Sequence, residues 1–269
     1  MLNLKDRTAV VTGAAGGIGR AIATSLARRG CNLALADIND EALAVTAAEI
    51  AIYGVRVSKH YLDVSDREAV AAFPEQATAE HNGVDVLVNN AGVALAGTFE
   101  QVSETDFEWL FGINFWGVVS MTRAFLPLLH QSDDARIVNL SSVFGIIAPP
   151  GNTAYSAAKF AVRGFSEALR HELQKTRIGV TVVHPGGVAT SIVRSARMPK
   201  SNSAEEDEAK RKSFESFLKL PPAIAGETIV RGIERRKPRV LVGSDAKVLA
   251  LIERLMPVNY WNLLGRRLR

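Results

Sequence analysis

Short apolar runs alternate with longer amphipathic stretches along the 269 residues of the chain. Continuous apolar runs are typical of parallel strands that helices cover on both faces. The amphipathic stretches between them have helical spacing, as in residues 18–29, 41–52 and 156–174. We therefore predict seven strands, at residues 8–12, 33–37, 55–62, 84–89, 136–141, 180–184 and 240–242.

Strands separated by helices in this way predict an α/β Rossmann fold, a doubly wound parallel seven-stranded sheet with helices on both faces. We see no linker or internal repeat, so a single domain is expected over residues 1–269. The polar segment 195–219 interrupts the alternation of strands and helices. We expect either a substrate lid or a charged surface helix there. Residues 244–269 form a basic, amphipathic C-terminal extension.

Composition and charge exclude several classes of protein. One cysteine, Cys31, rules out a disulfide framework within the chain and fits the cytoplasm. No apolar run has the ~18 residues of a membrane-spanning helix, and we see no signal peptide. The net charge is +4, with +7 in residues 231–269, yet no nucleic-acid motif accompanies this basic end. The five histidines lack metal-ligand spacing, so we expect structural roles for them and no metal.

A glycine-rich turn, Thr12-Gly13-Ala14-Ala15-Gly16-Gly17-Ile18-Gly19, follows the first predicted strand and precedes a helix. Glycine lets the backbone turn sharply and approach a ligand closely. The N-terminus of the helix then offers N–H groups to a pyrophosphate. The spacing differs from the commoner dinucleotide fingerprint, but the position after the first strand makes this turn a candidate cofactor loop.

Asp37 ends the second predicted strand, eighteen residues after Gly19. A carboxylate there accepts hydrogen bonds from both ribose hydroxyls of NAD and repels the 2′-phosphate of NADP. Neither Gly16 nor Ile38 brings a cation that would offset this repulsion. The alternative role is a helix N-cap, because Asn39 follows at the same turn. We predict NAD rather than NADP as the cofactor.

Tyr155 and Lys159 are four residues apart on a predicted helix and so share a face. A phenol has a pKa of about 10, too high for a base at neutral pH, and a nearby cation lowers it. Tyr155 could then exchange a proton with an alcohol or a carbonyl. Ser142 follows a predicted strand and could hold the substrate oxygen. Because ligands bind at the carboxyl ends of parallel strands, we expect all three residues to meet the glycine-rich turn there.

Further motifs occur in one order and spacing: Asp63-Val64, Asn89-Asn90-Ala91-Gly92, Asn114, Ser141-Ser142 and Pro185-Gly186-Gly187-Val188-Ala189-Thr190. With the glycine-rich turn and the Tyr155–Lys159 pair, they make the chain resemble the short-chain dehydrogenase/reductase family over about residues 5–243. The resemblance implies a single Rossmann domain and hydride transfer between a nicotinamide cofactor and an alcohol or carbonyl.

The resemblance also implies roles for the catalytic residues. Tyr155 is the general acid/base, and Lys159 lowers its pKa and binds the nicotinamide ribose. Ser142 orients the substrate oxygen. Asn114 holds a helix distortion and a water that links Lys159 to solvent. Phe144 and Ile192 are expected to join Ser142 and Tyr155 in the substrate pocket.

At the cofactor, the resemblance implies that Asp63 and Val64 flank the adenine. Asn90 lies beside a ribose, and Val188 and Thr190 hold the carboxamide of the nicotinamide. The expected cofactor-binding set is Gly13, Gly17, Ile18, Gly19, Asp37, Asp63, Val64, Asn90, Ala91, Gly92, Tyr155, Lys159, Pro185, Gly186, Val188 and Thr190.

The loops expected around the pocket are apolar, as in 93–95, 144–148 and 192–193. A buried anionic substrate would need a paired cation, which Arg194 or Arg197 could supply. We therefore predict a lipophilic alcohol or ketone as the substrate. A 3-oxoacyl thioester reductase and a non-catalytic NAD-sensing protein are the alternatives. Asp37 argues against the first because such reductases use NADPH, and the intact catalytic residues argue against the second.

Two features bear on partners. Phe107, Trp109, Phe111, Phe115 and Trp116 surround Asn114 and are expected in the core and in a homodimer or homotetramer interface, with a substrate wall as the alternative. The C-terminal extension has helical apolar spacing and ends in arginines. It could contact a membrane surface, cover the substrate cleft or pack on a neighbouring subunit.

Overall fold

The computed structural model describes residues 1–199, 212, 215 and 217–265. Its described strands form one seven-stranded parallel sheet in the order β3-β2-β1-β4-β5-β6-β7. The order reverses between β1 and β4, which is the switch point of a doubly wound sheet. The predicted fold class is confirmed. The strands are β1 (Thr8–Thr12), β2 (Asn32–Asp37), β3 (Val57–Tyr61), β4 (Val86–Asn89), β5 (Ala135–Leu140), β6 (Ile178–Pro185) and β7 (Arg239–Val242).

All predicted strands are present, but several ends differ. β3 spans Val57–Tyr61 rather than residues 55–62, and β4 begins at Val86 rather than at residue 84. Leu62 and Val84 are nonetheless buried. Apolar residues next to a strand pack into the core without joining the ladder, so an apolar run overestimates strand length.

Helices connect the strands and cover the sheet. Side chains of Asn39, Asp66 and Ser103 accept hydrogen bonds from backbone N–H groups and so cap the starts of three of them. The helices are α1 (Gly17–Ala27), α2 (Asp40–Ala51), α3 (Arg67–Glu80), α4 (Glu104–Phe111), α5 (Gly117–Leu129), α6 (Thr153–Glu172), α7 (Pro222–Glu234), α8 (Ser244–Leu255) and α9 (Tyr260–Leu264).

The core lies in two layers, one on each face of the sheet. Ala9 and Val11 of β1 pack in the layer with α1, α2 and α7, whereas Val10 packs in the layer with α3, α5 and α6. Successive side chains of a strand point to opposite faces. Both faces of β1 are therefore apolar, which explains why the strands appear as continuous apolar runs in the sequence.

A π-helical segment, Gly112–Trp116, joins α4 to α5. Its hydrogen bonds span five residues rather than four, so it distorts an otherwise continuous helix. Asn114 lies in this segment and is fully buried. The distortion thus occurs where the family resemblance implied one.

The C-terminal extension packs on the loop that follows β5. Ile146 and Ile147 of that loop lie in one apolar cluster with Ala246 and Leu249 of α8 and with Leu264 of α9. The backbone N–H of Ala148 donates to the Tyr260 hydroxyl over 2.9 Å. The extension therefore covers part of the loop that follows β5. Residues 266–269 lie outside the described residues.

Most of the segment predicted as a lid, residues 200–211, 213, 214 and 216, also lies outside the described residues. The backbone N–H of Arg197 donates to Ala94 over 3.1 Å on one side of it, and that of Leu220 donates to Gly187 over 2.9 Å on the other. None of the helices described here combines the length and apolarity that crossing a membrane requires.

Candidate active site

The predicted site residues gather at the carboxyl edge of the sheet. Three strands end in polar residues: β1 at Thr12, β2 at Asp37 and β4 at Asn89. The other two contributions are Ser142, two residues after β5, and His184, the last residue but one of β6. Parallel strands bring these ends to one edge. The edge includes the switch point between β1 and β4, where such sheets bind their ligands.

The nucleotide loop, residues 13–19, is closed by backbone contacts. Gly13 and Gly17 have φ of +65° and +54°, which side chains rarely allow. A Cβ on Gly19 would overlap the carbonyl oxygen of Gly13 and lie 2.6 Å from the Asn90 amide nitrogen. That nitrogen donates to Thr12 and Gly13 over 2.9 and 3.0 Å. Asn90 therefore fastens the loop to the end of β4.

The outer surface of the loop fits a dinucleotide phosphate. A Cβ on Gly16 would meet nothing within 4 Å, so the backbone is open to an incoming group. Gly16 is also the N-cap of α1, and no side chain caps the N–H groups of that helix. Uncapped N–H groups at a helix N-terminus bind anions such as a pyrophosphate.

Asp37 borders the same loop. Its Oδ2 accepts from the N–H of Ala15 over 2.9 Å, and its Oδ1 accepts from the N–H of Asn39 over 3.0 Å. The N-cap of α2 is Asn39, whose side chain accepts from Ala42. Asp37 is therefore not the N-cap, and its partly exposed carboxylate retains lone pairs for ribose hydroxyls.

Asp63 and Val64 follow β3, next to the end of β2. Oδ1 of Asp63 accepts from the N–H and hydroxyl of Ser65, over 2.8 and 2.6 Å. Val64 is 7 % exposed and packs against Gly117 of α5. Because the N–H of Leu62 donates to the carbonyl of Asp37, Asp63 and Val64 follow directly after the point where the chain pairs with the end of β2.

Asn114 holds the segment that follows β4. Its Oδ1 accepts from the N–H of Val93 over 2.8 Å, and its Nδ2 donates to the Val93 carbonyl over 2.9 Å. A Cβ on Gly92 would lie 3.1 Å from that Oδ1 and 3.6 Å from Nζ of Lys159. Gly92 thus leaves room between Asn114 and Lys159. Ala91 donates its N–H to the Thr12 hydroxyl.

Lys159 and Tyr155 lie on one face of α6, as their spacing predicts. Nζ of Lys159 is 5.7 Å from the centroid of the Tyr155 ring and donates to the Leu140 carbonyl over 3.0 Å. Lys159 is 5 % exposed, and its burial lowers its pKa to about 8. Burial raises the pKa of the Tyr155 phenol, while a hydrogen bond with Ser142 acts to lower it.

Ser142 and Phe144 lie at the start of the loop after β5. The Ser142 hydroxyl accepts from the N–H of Phe144 over 3.1 Å and acts to lower the pKa of the Tyr155 phenol. The rings of Phe144 and Tyr155 pack edge to face with centroids 6.2 Å apart. The chain thus places the hydroxyl of Ser142 and the phenol of Tyr155, both partly exposed, next to the buried ammonium of Lys159.

The loop after β6 completes the edge. Pro185 ends the strand, and the methyl of Thr190 lies 3.1 Å from where a Cβ on Gly17 would be. This loop and the nucleotide loop are therefore neighbours. The N–H of Gly187 donates to Asp245 of α8 over 2.6 Å, and a Cβ on Gly186 would overlap that carboxylate. Val188 is buried, and Ile18 and Ile192 are partly buried.

The two arginines near the expected pocket are in ion pairs. Arg194 pairs with Glu215 over 2.8 Å. Arg197 pairs with Asp106 over 2.7 Å, and its guanidinium lies 3.6 Å from the centroid of the Trp109 ring. Phe107, Trp109 and Phe111 pack in one cluster with Tyr155. Both cations are therefore engaged within the protein, and aromatic side chains stand next to Tyr155.

Sequence reasoning missed three residues that support these loops: His184, Asp245 and Tyr260. The sequence predicts a structural role for His184, just before the Pro185-Gly186 motif, but does not indicate its contact with the Ser142 carbonyl. Asp245 and Tyr260 lie beyond the motifs, 58 and 112 residues from their partners Gly187 and Ala148. The residues that the structure describes contain no group of three or more His, Cys, Asp or Glu side chains that could hold a metal ion.

Residues 7–201 match the protein family described as short chain dehydrogenase. The protein named SadH of Mycobacterium tuberculosis is 41 % identical over 268 residues, which cover 98 % of this chain and 96 % of SadH. A short-chain dehydrogenase/reductase from Burkholderia phymatum in complex with NAD aligns with a TM-score of 0.87 at 30 % identity, covering 94 % of this chain and 95 % of that one. An alcohol dehydrogenase from Thermococcus sibiricus complexed with 5-hydroxy-NADP aligns with a TM-score of 0.73 at 29 % identity, covering 88 % and 94 %.

The fold and the site therefore define an oxidoreductase that uses NAD or NADP. The chain belongs to the short-chain dehydrogenase/reductase family. Members of this family typically act on small molecules and form oligomers.

Proposed function

We propose that this protein transfers hydride between NAD and a lipophilic alcohol or its ketone, with Tyr155 as the general acid/base. The observation that carries the proposal is the cluster of Ser142, Tyr155 and Lys159 beside the nucleotide loop. The nucleotide loop and Asp37 would hold NAD, which would supply the hydride acceptor for the carbinol carbon or, as NADH, the hydride donor for the ketone. The reaction also moves one proton at the substrate oxygen, and this cluster supplies a group for that proton.

Within the cluster, each side chain has a separate task. Ser142 holds the substrate oxygen, and the Tyr155 phenol gives a proton to a carbonyl or takes one from an alcohol. Lys159, whose Nζ lies 5.7 Å from the phenol ring, stabilises the phenolate through its charge. Asn114 fixes the backbone at Val93, and Gly92, which has no side chain, leaves room between Asn114 and Lys159.

The surroundings of Tyr155 support an apolar substrate. Phe144 packs on its ring, and Phe107, Trp109 and Phe111 lie in the same cluster. Arg194 and Arg197 are paired with carboxylates, so binding a substrate anion through them would require breaking an ion pair. Steroids, long-chain alcohols and aryl carbinols are the classes that this environment favours.

The test is a screen of NAD⁺ and NADP⁺ against these three classes, with small polyols and 3-oxoacyl thioesters added. We expect turnover of a lipophilic alcohol with NAD⁺ and a loss of at least ~100-fold in Tyr155→Phe. Full activity of Tyr155→Phe would overturn the proposed chemistry. Activity confined to thioesters would favour the acyl-thioester reductase. Tight NAD binding without turnover of any class would favour the NAD-sensing protein.

For the cofactor, we propose NAD because the carboxylate of Asp37 borders the nucleotide loop. Arg20 is the competing influence, since its guanidinium donates to the Ala15 carbonyl over 2.6 Å and lies 3.7 Å from Glu49. Asp37→Asn should narrow the preference for NAD by removing charge repulsion of the 2′-phosphate, whereas Arg20→Ala should not. A lower KM for NADPH than for NADH in the unchanged protein would contradict the role of Asp37.

We also propose that the outer face of α8 rests on an anionic membrane surface. Exposed apolar residues lie there beside two basic ones, and the sequence continues into three arginines. They are Val248, Leu251 and Leu255, which are 55, 56 and 71 % exposed, with Lys247 and Arg254, followed by Arg266, Arg267 and Arg269.

Sedimentation with phosphatidylcholine vesicles, with and without phosphatidylglycerol, tests this contact. We expect binding to anionic vesicles only, lost in Leu251→Glu/Leu255→Glu and kept in Ile52→Glu, which alters an exposed residue elsewhere. A variant that instead changes the oligomeric mass would assign the face to a second copy of the chain. We propose a cytoplasmic homodimer or homotetramer, which light scattering will distinguish.

A further inference from the structure

His184 is the penultimate residue of β6 and has no exposed surface. Its Nδ1 lies 3.0 Å from the backbone carbonyl oxygen of Ser142. A carbonyl oxygen only accepts hydrogen bonds, so Nδ1 must carry the hydrogen. His184 thus donates to the backbone of the residue that we assign to holding the substrate oxygen.

The position of His184 coincides with the end of the β5–β6 ladder. The N–H of Ser141 still donates to Val183 over 2.9 Å. In a parallel ladder the next donor on β6 would be the backbone of Pro185, which has no N–H group. Backbone pairing therefore stops at the Ser141 carbonyl, and the imidazole of His184 donates to the next carbonyl along the chain, that of Ser142.

Ser142 is consequently held at two points. Its carbonyl accepts from His184 and from the N–H of Gly145, the latter over 2.9 Å. Its hydroxyl accepts from the N–H of Phe144 over 3.1 Å and acts to lower the pKa of the Tyr155 phenol. A rotation of the Ser142 peptide would move the hydroxyl away from the phenol, so the carbonyl contacts control the geometry of the hydroxyl.

The imidazole has one hydrogen-bonded nitrogen. Its Nε2 is buried, and no side-chain or backbone group of the described residues hydrogen-bonds it. Burial lowers the pKa of His184 to about 4, so the ring is neutral at physiological pH. A neutral ring with hydrogen on Nδ1 leaves Nε2 as an acceptor without a partner. The hydrogen bond to Ser142 is therefore the polar contact that this buried side chain makes.

We infer that His184 is a positioning residue, which fixes the Ser142 hydroxyl against Tyr155 by donating from Nδ1 to the Ser142 carbonyl. The inference rests on the proposed role of Ser142 in catalysis. It extends the site from the residues that would touch substrate to one that acts through the backbone behind them.

A matched pair of variants separates the hydrogen bond from the bulk of the side chain. His184→Asn keeps a donor close to the position of Nδ1, and His184→Leu has nearly the shape of asparagine without a donor. With NAD⁺ and 1-phenylethanol as the probes, we expect His184→Leu to lower kcat about tenfold with little change in KM for NAD⁺. His184→Asn should restore most of kcat. The acidic limb of the pH profile for oxidation, on which Tyr155 gains a proton and loses its function as base, should shift upward only in His184→Leu, because the contact of Ser142 that lowers the pKa of the phenol loosens.

Nuclear magnetic resonance of histidine-labelled protein tests the same hydrogen bond without a substrate. The signals of His184, assigned by their loss in His184→Asn, should show hydrogen on Nδ1 and no protonation down to pH 5. Hydrogen on Nε2 would overturn the inference, whatever the kinetics show. So would equal kcat and pH profiles in wild type and His184→Leu, or equal losses in both variants.

Failure of the positioning role of His184 can be told apart from failure of the proposed function. If Ser142→Ala and Tyr155→Phe keep full turnover, the proposed chemistry is wrong and His184 has nothing catalytic to position. If both lose turnover while His184→Leu keeps it, the proposed function stands and the positioning role falls.

Discussion

The nucleotide loop and the catalytic cluster face the same edge of the sheet but hold their polar groups differently. In the loop, the Asn90 amide donates twice and each oxygen of Asp37 accepts a backbone N–H. In the cluster, the buried ammonium of Lys159 donates to a single carbonyl, and His184 uses one of its two nitrogens. Burial lowers the pKa values of these two residues to about 8 and about 4.

This difference separates two kinds of contact. Those in the loop stabilise the fold, whereas those in the cluster lower its stability and are retained because the proposed chemistry needs them. Satisfied hydrogen bonds and close backbone contacts in the loop hold the chain together. Buried, under-partnered groups in the cluster cost free energy of folding, as is common at active sites. Substitutions in the loop should therefore destabilise the protein, and substitutions that remove a buried charge from the cluster should stabilise it.

The largest effect is expected from Gly19→Ala, which tests the loop. The new Cβ would overlap the Gly13 carbonyl oxygen and crowd the Asn90 amide, and neither can move without breaking the turn. We expect a loss of about 3 kcal/mol or more in the free energy of unfolding, measured in urea. Gly16→Ala is the control, because its Cβ meets nothing within 4 Å, and should cost about 1 kcal/mol or less. Equal losses would show that close packing does not hold the loop.

Acid unfolding tests the buried imidazole of His184. The unfolded chain takes up a proton on this residue between about pH 6.5 and pH 4, whereas the folded chain does not, because its pKa is about 4. Stability should therefore fall as the pH falls through this window, by about 3 kcal/mol. Arg163, Glu167 and Arg239 are the charged groups that act on the ring.

Urea unfolding of His184→Asn at both ends of the window isolates this contribution, since asparagine does not titrate. The variant should lose about 3 kcal/mol less than wild type between pH 6.5 and pH 4. His60 and His81, whose pKa values burial also lowers, are present in both proteins and cancel. Parallel losses in the two proteins would contradict the buried, neutral imidazole.

Lys159→Met separates stability from activity in the cluster. At pH 7 the buried ammonium has a pKa of about 8 rather than 10.5, so keeping it charged costs free energy of folding. After subtracting the lost hydrogen bond to Leu140, we expect a gain of about 2 kcal/mol in stability together with a large loss of turnover. The gain should be full below pH 8 and fade as the pH rises from 8 to 10.5. If Lys159→Met is less stable than wild type at pH 7, the buried ammonium stabilises the fold, and the contrast between the loop and the cluster is wrong.

The smallest effect is expected from Tyr260→Phe, which removes the acceptor of the Ala148 N–H. We expect a loss of about 1 kcal/mol in stability and a modest rise in KM for an apolar substrate. The dissociation constant of NAD should not change, because the nucleotide loop lies on the other side of the switch point. A change in NAD affinity would mean that α9 influences both regions.

The sequence predicted the parts of the molecule that depend on local spacing. The strands, the turn at Gly13–Gly19 and the shared face of Tyr155 and Lys159 follow from periodicity and from glycine positions. Side-chain contacts between distant segments could not be predicted in this way. Asp245 reaches Gly187 and Tyr260 reaches Ala148 only because α8 and α9 fold back over the loop after β5.

The electrostatic partners were also beyond sequence reasoning. From the sequence alone, Arg194 and Arg197 are potential substrate ligands. Their ion pairs with Glu215 and Asp106 form only when the chain folds and brings distant segments together. His184 illustrates the same limit, since its donor function depends on the direction of one imidazole and on the missing N–H of Pro185. Burial and direction are properties of the fold, not of a motif.

The π-helical segment Gly112–Trp116 constrains the length of the chain as well as its shape. Each residue of an α-helix advances the helix by about 100° around its axis. A π-helical turn holds about one residue more than an α-helical turn, so regular α-helix built from the same residues would rotate α5 by about that amount relative to α4. Met121 and Phe125 would then leave the core in which they are buried. The wide turn at Gly112–Trp116 therefore accommodates one extra residue and keeps the apolar side of α5 towards the sheet.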